Sequence, residues 1–150
     1  MTYLCKIDSV VGKLYITSDG SNITGLWIQG QKYFESTIHD ELKEADLPIF
    51  EKAKKWLDIY FKGKEPKFNL ALKPEGSEFR KDVWKILLNI PYGKTITYGE
   101  IANILGKKYK KKMSAQAVGG AVGHNPISII IPCHRVVGSN GSLTGYAGGI

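Results

Sequence analysis

Cys133 and His134 are the residues whose chemistry the rest of the chain has to explain. They stand in Pro132-Cys133-His134-Arg135-Val136, directly behind the apolar run Ile129-Ile130-Ile131. The thiolate, not the thiol, is the nucleophile, and an ordinary cysteine near neutral pH is ionised only to about a few per cent. A neighbouring imidazole that takes the proton raises that fraction. The apolar run reads as a buried strand that delivers the thiol to a turn. An isolated Cys-His pair is more often a small core hydrophobe beside a solvent-facing ring. The nucleophilic reading therefore depends on what the remaining residues build around the pair.

Charge narrows the choice of partner. Lys and Arg number 21 against 14 Asp and Glu, a net charge of +7, and the sequence pI is about 9.3. Nearly all of the positive charge is lysine; the arginines are Arg80 and Arg135. Such a balance favours a polyanion, nucleic acid first and an acidic membrane surface second. A lysine-rich surface kept for solubility is the bland alternative. Cys5 and Cys133 are the only cysteines, which does not fit a secreted disulfide framework. Lys6, Asp8 and Lys13 interrupt the opening residues, so no signal peptide is expected. No apolar run approaches a membrane span, and a cytoplasmic protein is expected. A structural zinc site wants about four nitrogen or sulfur ligands. Cys5 with His39 and His124 falls short, so neither metal nor cofactor is expected, and Cys5 reads as a strand core residue.

The elements that must position the pair follow from periodicity and turn chemistry. Residues 3–7, 13–17 and 23–28 are short β-branched or aromatic segments separated by Gly12 and by Asp19-Gly20-Ser21-Asn22, which predicts an antiparallel meander. Ile49, Phe50, Ala53, Trp56, Leu57, Tyr60 and Phe61 recur at helical spacing, with Gly63 as the stop. Pro66, Pro74 and Gly76 mark a connector, and the domain boundary is placed there: a domain over 1–74 and another over 75–150. Ser77 caps a helix whose stripe is Phe79, Val83, Trp84, Leu87 and Leu88, broken by Pro91-Tyr92-Gly93. Thr97-Tyr98-Gly99-Glu100 fits a capping box for a helix ending at Gly106. A basic loop over 107–112 and a Ser114 cap lead into a last helix over 115–123.

Two short helices joined by a basic loop suggest a helix-turn-helix, with a linker longer than the usual three or four residues. The last helix is nearly bare: Ala115, Ala117, Gly119, Gly120, Ala121 and Gly123. Each glycine costs a helix about 1 kcal/mol relative to alanine. Close approach of another backbone would justify the cost, and that partner is either another helix or a nucleic-acid groove. Asn125-Pro126 then turns the chain into residues 127–131, read as a buried strand or extended run, and a glycine-rich tail follows Cys133.

Taken together, these residues resemble the O6-alkylguanine-DNA alkyltransferases. The resemblance is carried by Pro132-Cys133-His134-Arg135-Val136, Asn125-Pro126 and Gly145-Tyr146-Ala147-Gly148-Gly149. It is reinforced by Pro91-Tyr92-Gly93, Thr97-Tyr98 and Ala117-Val118-Gly119-Gly120. It covers residues 77–150 closely and the amino-terminal unit more weakly. It implies an α/β protein: a small ribonuclease-H-like α/β domain, then a mainly helical domain with a helix-turn-helix. It implies DNA repair by direct reversal, in which O6-alkylguanine, and in some members O4-alkylthymine, leaves duplex DNA and a cysteine keeps the alkyl group. Extruding a base costs a few kcal/mol. Small residues let the helix sit deep in the minor groove while lysines hold phosphates without reading sequence.

By position, the resemblance makes Cys133 the acceptor and His134 its general base through a water. Tyr98 would turn the target phosphate and protonate the leaving guanine, and Asn125 would brace the turn. Tyr146, with Ala147 and Gly148, would wall the flipped base, backbone groups of Cys133 and Val136 would read its edge, and Val122 would join the substrate-binding residues. Ser114, Gln116, Ala117, Gly120 and Arg135 would meet DNA, the protein acting as a monomer on damaged duplex. Many relatives carry an arginine where this chain has Gln116, a finger that fills the gap in the stack. Relatives also continue into a helix whose glutamate orients the histidine, while the sequence given ends at Ile150. The competing readings are a non-catalytic damage-recognition protein of the same fold, which would replace the cysteine; a DNA-binding regulator with an incidental thiol; and a cysteine hydrolase, which would need a distant histidine and an oxyanion site.

Overall fold

A computed structural model describes residues 2–30 and 41–137, apart from the side chains of His134 and Val137. Three strands form the expected meander: β1 (Thr2–Ser9), β2 (Gly12–Ser18) and β3 (Ile23–Ile28). Ile16 faces Cys5 on one side and Leu26 on the other. Leu14, Ile16 and Leu26 share one face of the sheet and are buried in the core, while Leu4 is buried on the other face. The β2–β3 turn is closed by Asp19, whose carboxylate accepts from the amides of Ser21 at 3.0 Å and Asn22 at 2.8 Å. Those backbone donors, Ser21 first, hold the Asp19 carboxyl below its ordinary value. Gly25 has a specific reason: a Cβ there would lie 2.2 Å from the Trp27 ring, which folds back across the strand.

A fourth strand, β4 (Leu42–Glu44), adds parallel to β1 and makes the order β3-β2-β1-β4. Its three exposed residues carry no alternation, so periodicity does not reveal it. Helix α1 (Pro48–Phe61) begins with proline, which lacks the amide that would go unpaired there, and buries Phe50, Ala53 and Leu57.

The second half holds α2 (Glu78–Leu88), β5 (Ile96–Thr97), α3 (Tyr98–Tyr109), α4 (Ala115–Gly123) and β6 (Val136–Val137). Ser77 and Ser114 cap α2 and α4, accepting from Arg80 and Ala117. The capping box at Thr97 and Glu100 is complete.

Two expectations are corrected here. Helix α3 does not stop at Gly106 but runs a turn further to Tyr109, with Lys110 in the left-handed region at φ 56°. Gly106 serves close approach instead, since a Cβ there would lie 3.0 Å from the Lys111 carbonyl oxygen as the chain folds back. Tyr109 and Lys108 hold the extra turn by bonding to the Asp82 carboxylate of α2. The connection to the Ser114 cap therefore shrinks to residues 110–113, close to the usual helix-turn-helix length. Residues 127–131 are not a strand either. Ile127 makes one bridge to Leu26 of β3 and the chain then turns.

The core is continuous across both halves, from Leu14, Ile16 and Leu26 through Phe50 and Trp84 to Ile127 and Cys133. Trp84 reaches from α2 to α4, its indole donating to the buried carbonyl of Ala121 at 2.9 Å.

Candidate active site

Two consecutive tight turns deliver Cys133. The amide of Ile130 donates to the Ser128 carbonyl at 2.7 Å, with Ile129 between them at φ 71°. This is the rarer and strained hand of γ-turn, unusual for a β-branched residue. The amide of Cys133 then donates to the Ile131 carbonyl at 2.8 Å around Pro132 at φ −82°, ψ 70°, an inverse γ-turn that proline favours. Cys133–Arg135 closes as a short 3-10 turn.

Asn125 holds this loop at both ends. Its Nδ2 donates to the Ile131 carbonyl at 2.8 Å, and its Oδ1 accepts from the Ile127 amide at 3.0 Å. The side chain is buried and both bonded groups lie in the interior, where leaving them unpaired would cost about 1–3 kcal/mol each. The loop is also sewn to the sheet. Leu26 donates to the Pro126 carbonyl at 2.8 Å and accepts from the Ser128 amide at 2.9 Å.

Cys133 itself is 4% exposed. It is not joined to Cys5, whose thiol is half-buried on β1 and pushed up by that burial. Helix α4 lies in front of the loop with Val118, Ala121 and Val122 buried, while Ser114, Gln116, Ala117 and Gly120 are exposed. A Cβ on Gly120 would meet nothing within 4 Å. The open face is thus the small-residue face, and Gln116 stands on its first turn. Gly119 looks the other way, toward the Tyr98 ring: a Cβ there would touch Cε1 at 3.8 Å. Tyr98 opens α3 immediately after β5, and β5 pairs in parallel with β6, which follows the Cys133 turn.

The structure thus brings Cys133, Asn125, Val136, Tyr98 and α4 into one region of the fold. Val122 and Val136 are each 1% exposed and sit in the core. Arg135, expected on the DNA side, turns inward, and its Nη1 donates to the Ile90 carbonyl at 3.0 Å. The His134 imidazole, His39, Tyr146, Ala147 and Gly148 lie outside the described residues. Among the described residues no three His, Cys, Asp or Glu side chains converge as metal ligands.

Sequence reasoning missed two groups. One is the Asp82–Lys108–Tyr109 link. Asp82 is 7% exposed, and the Tyr109 hydroxyl and then Lys108 hold its carboxyl below the ordinary value. The other is an aromatic cluster behind the Cys133 turn. Trp56 and Tyr60 stack at 5.3 Å, and Tyr60 meets Tyr92 edge-on at 6.3 Å. Burial pushes the Tyr60 phenol up, while the charge and hydrogen bond of Arg135 pull it back. Trp56 and Tyr60 were visible only as members of an apolar helical stripe, which says nothing of a partner far along the chain.

A thiol-bearing protein with a helix-turn-helix, its second helix nearly bare and its cysteine buried, is the class that fold and site define. Comparison with known proteins makes this specific. Residues 2–74 match the ribonuclease-like domain, and residues 78–150 the DNA-binding domain, of 6-O-methylguanine DNA methyltransferase. The chain belongs to the 6-O-methylguanine DNA methyltransferase family. It is 45% identical over 150 residues to the methylated-DNA–protein-cysteine methyltransferase of Mycobacterium bovis, covering 100% of this chain and 87% of the relative. It is 42% identical to that of Haemophilus influenzae, covering 99% of this chain and 80% of the relative. A crystal structure of Mycobacterium tuberculosis OGT in complex with DNA superposes with a TM-score of 0.85 at 42% identity, covering 98% of this chain and 85% of that one.

Proposed function

We propose that this protein repairs DNA by taking the alkyl group from O6-alkylguanine in duplex DNA onto Cys133, once per molecule. Sγ of Cys133 attacks the alkyl carbon and the carbon–O6 bond breaks. A stable thioether forms, and the guanine regains its proton and its normal pairing edge. Because the thioether does not turn over, each molecule is consumed by one repair.

The observation that carries this reading is the link through Asn125. The open, small-residue face of α4 and the buried thiol are tied by one side chain across the loop between them. A helix seated in the minor groove thereby sets where an extruded base meets the sulfur. Within that frame His134 takes the Cys133 proton through a water, and Tyr98 turns the target phosphate and protonates the leaving base. Tyr146, Ala147 and Gly148 wall the flipped guanine and backbone groups of Cys133 and Val136 read its edge, while Val122, expected at the base, supports α4 from the core. Ser114, Gln116, Ala117 and Gly120 face the DNA, with Gln116 filling the vacated place in the stack. Division into domains over 1–74 and 75–150, action as a monomer and a cytoplasmic setting accompany this reading. No described helix is long and apolar enough to cross a membrane.

Intact mass after incubation with an O6-methylguanine duplex tests the reading, together with peptide mapping. One methyl on Cys133, stopping at one per molecule, is the expected result. Cys133→Ala should abolish the gain and still bind the duplex. No gain in the wild-type protein, with damaged duplex still bound tightly, would identify a recognition protein instead.

A further inference from the structure

Asn125 holds the Cys133 loop on the side of α4. The turn also borders a cleft of about 630 Å³, with Pro132, Arg135, Tyr60 and Tyr92 among its lining. A 3-10 turn of three residues has little rigidity of its own. Arg135 crosses from this turn to the rest of the molecule. Nη1 donates to the Ile90 carbonyl just beyond α2 at 3.0 Å. The guanidinium carbon lies 5.5 Å from the centre of the Tyr92 ring, and the Tyr60 hydroxyl bonds to the same group. Tyr60 is in turn stacked on Trp56, one helical turn earlier in α1. A planar guanidinium serves a carbonyl, a hydroxyl and a ring face together, which a lysine ammonium does less well.

We propose that Arg135 is a positioning residue for the nucleophile, clamping the Cys133 turn to the end of α2 and to α1 rather than contacting DNA. The amino-terminal half thereby acquires a part in the chemistry: Trp56 and Tyr60 form the anvil against which the thiol is aimed. The inference rests on the alkyl-transfer reading. Wild-type transfer tests that reading, and the ratio of variant to wild type tests this one.

The experiment measures the transfer rate constant at saturation and the half-saturating concentration, on methylated duplex and on free O6-alkylguanine, with thermal midpoints alongside. Arg135→Met should slow transfer about 10- to 100-fold on both substrates, the scale of a small misplacement of reacting groups. Half-saturation with duplex should stay at the wild-type value. Arg135→Lys should recover part of the rate, because its ammonium still reaches the Ile90 carbonyl. Tyr92 is 39% exposed, so Tyr92→Leu should keep the fold and still slow both substrates. A loss confined to duplex, with weaker half-saturation, would overturn the proposal in favour of a direct role on DNA. Unchanged rates would overturn it outright. So would a lowered thermal midpoint in both Arg135 variants with full transfer by Tyr92→Leu, which would mark a purely structural residue.

Discussion

Gln116 stands exposed on the first turn of α4, beside Ala117 and on the face that Gly120 leaves open. If it fills the gap left by an extruded guanine, it matters only when there is a stack to leave. Gln116→Ala should therefore slow transfer from methylated duplex while leaving transfer from free O6-alkylguanine unchanged. Equal losses on both substrates would sink that role. Asn125 is the opposite kind of residue, hidden and bonded at both ends of its amide. Asn125→Ala should destabilise the fold by roughly 1–3 kcal/mol for each buried group left unpaired, read as a lower urea midpoint. It should also slow transfer on both substrates, since the loop before Cys133 loses its tie to α4. The amide was legible in the sequence as a turn former. The Ile127 amide, two residues on, is the partner such a turn supplies locally; the Ile131 carbonyl was not legible, because it meets the amide only once the γ-turn at Ile129 has formed.

Between α2 and α3 the decisive device is a carboxylate. Asp82 accepts from the Tyr109 hydroxyl and pairs with Lys108 at 3.0 Å, which carries α3 past Gly106 and sets the start of the turn into α4. The bond also pushes the Tyr109 phenol up. Folding holds the Asp82 carboxyl below its ordinary value of about 3.9, so the unfolded chain binds the proton more readily. The contribution is present in full above that ordinary value and is lost as the pH falls through the lower folded one. Urea midpoints measured from neutral pH into the acid range, below that ordinary value, should fall less steeply for Asp82→Asn than for the wild type, with the two curves converging at the acid end. Parallel curves would show that the carboxylate contributes nothing. A glycine near the end of a periodic stretch is a fair stop signal. It failed at Gly106 because the residue answers to the Lys111 carbonyl returning over it, an approach between segments that no local rule contains.

Across the whole molecule, the net charge of +7 acquires a direction. Lys110, Lys111 and Lys112 are exposed on the short turn that precedes α4, while Lys108 is engaged with Asp82. Duplex affinity should fall steeply with salt. Replacing all three exposed lysines with glutamine should flatten the log–log slope by about 0.9 for each phosphate no longer neutralised. An unchanged slope would place the phosphate-binding groups elsewhere. The same change should leave transfer from free O6-alkylguanine alone, since these lysines lie on the turn into α4 and not on the turn that carries Cys133.

By itself the sequence determined most of the elements and the family. Alternation marked the meander, caps and periodicity marked the helices, and the residues around Cys133 marked the family. Each of these signals is local, written within a few neighbouring residues. What only the tertiary structure decided is how distant segments constrain one another. Leu26 of β3 anchors the Cys133 loop, Trp84 of α2 fastens α4, and Arg135 turns inward to reach Ile90 and Tyr92. The physical reason is that a hydrogen-bond donor or an aromatic face reads the same in sequence whichever partner it will find. Folding selects the partner by bringing together groups that burial does not allow to remain unpaired.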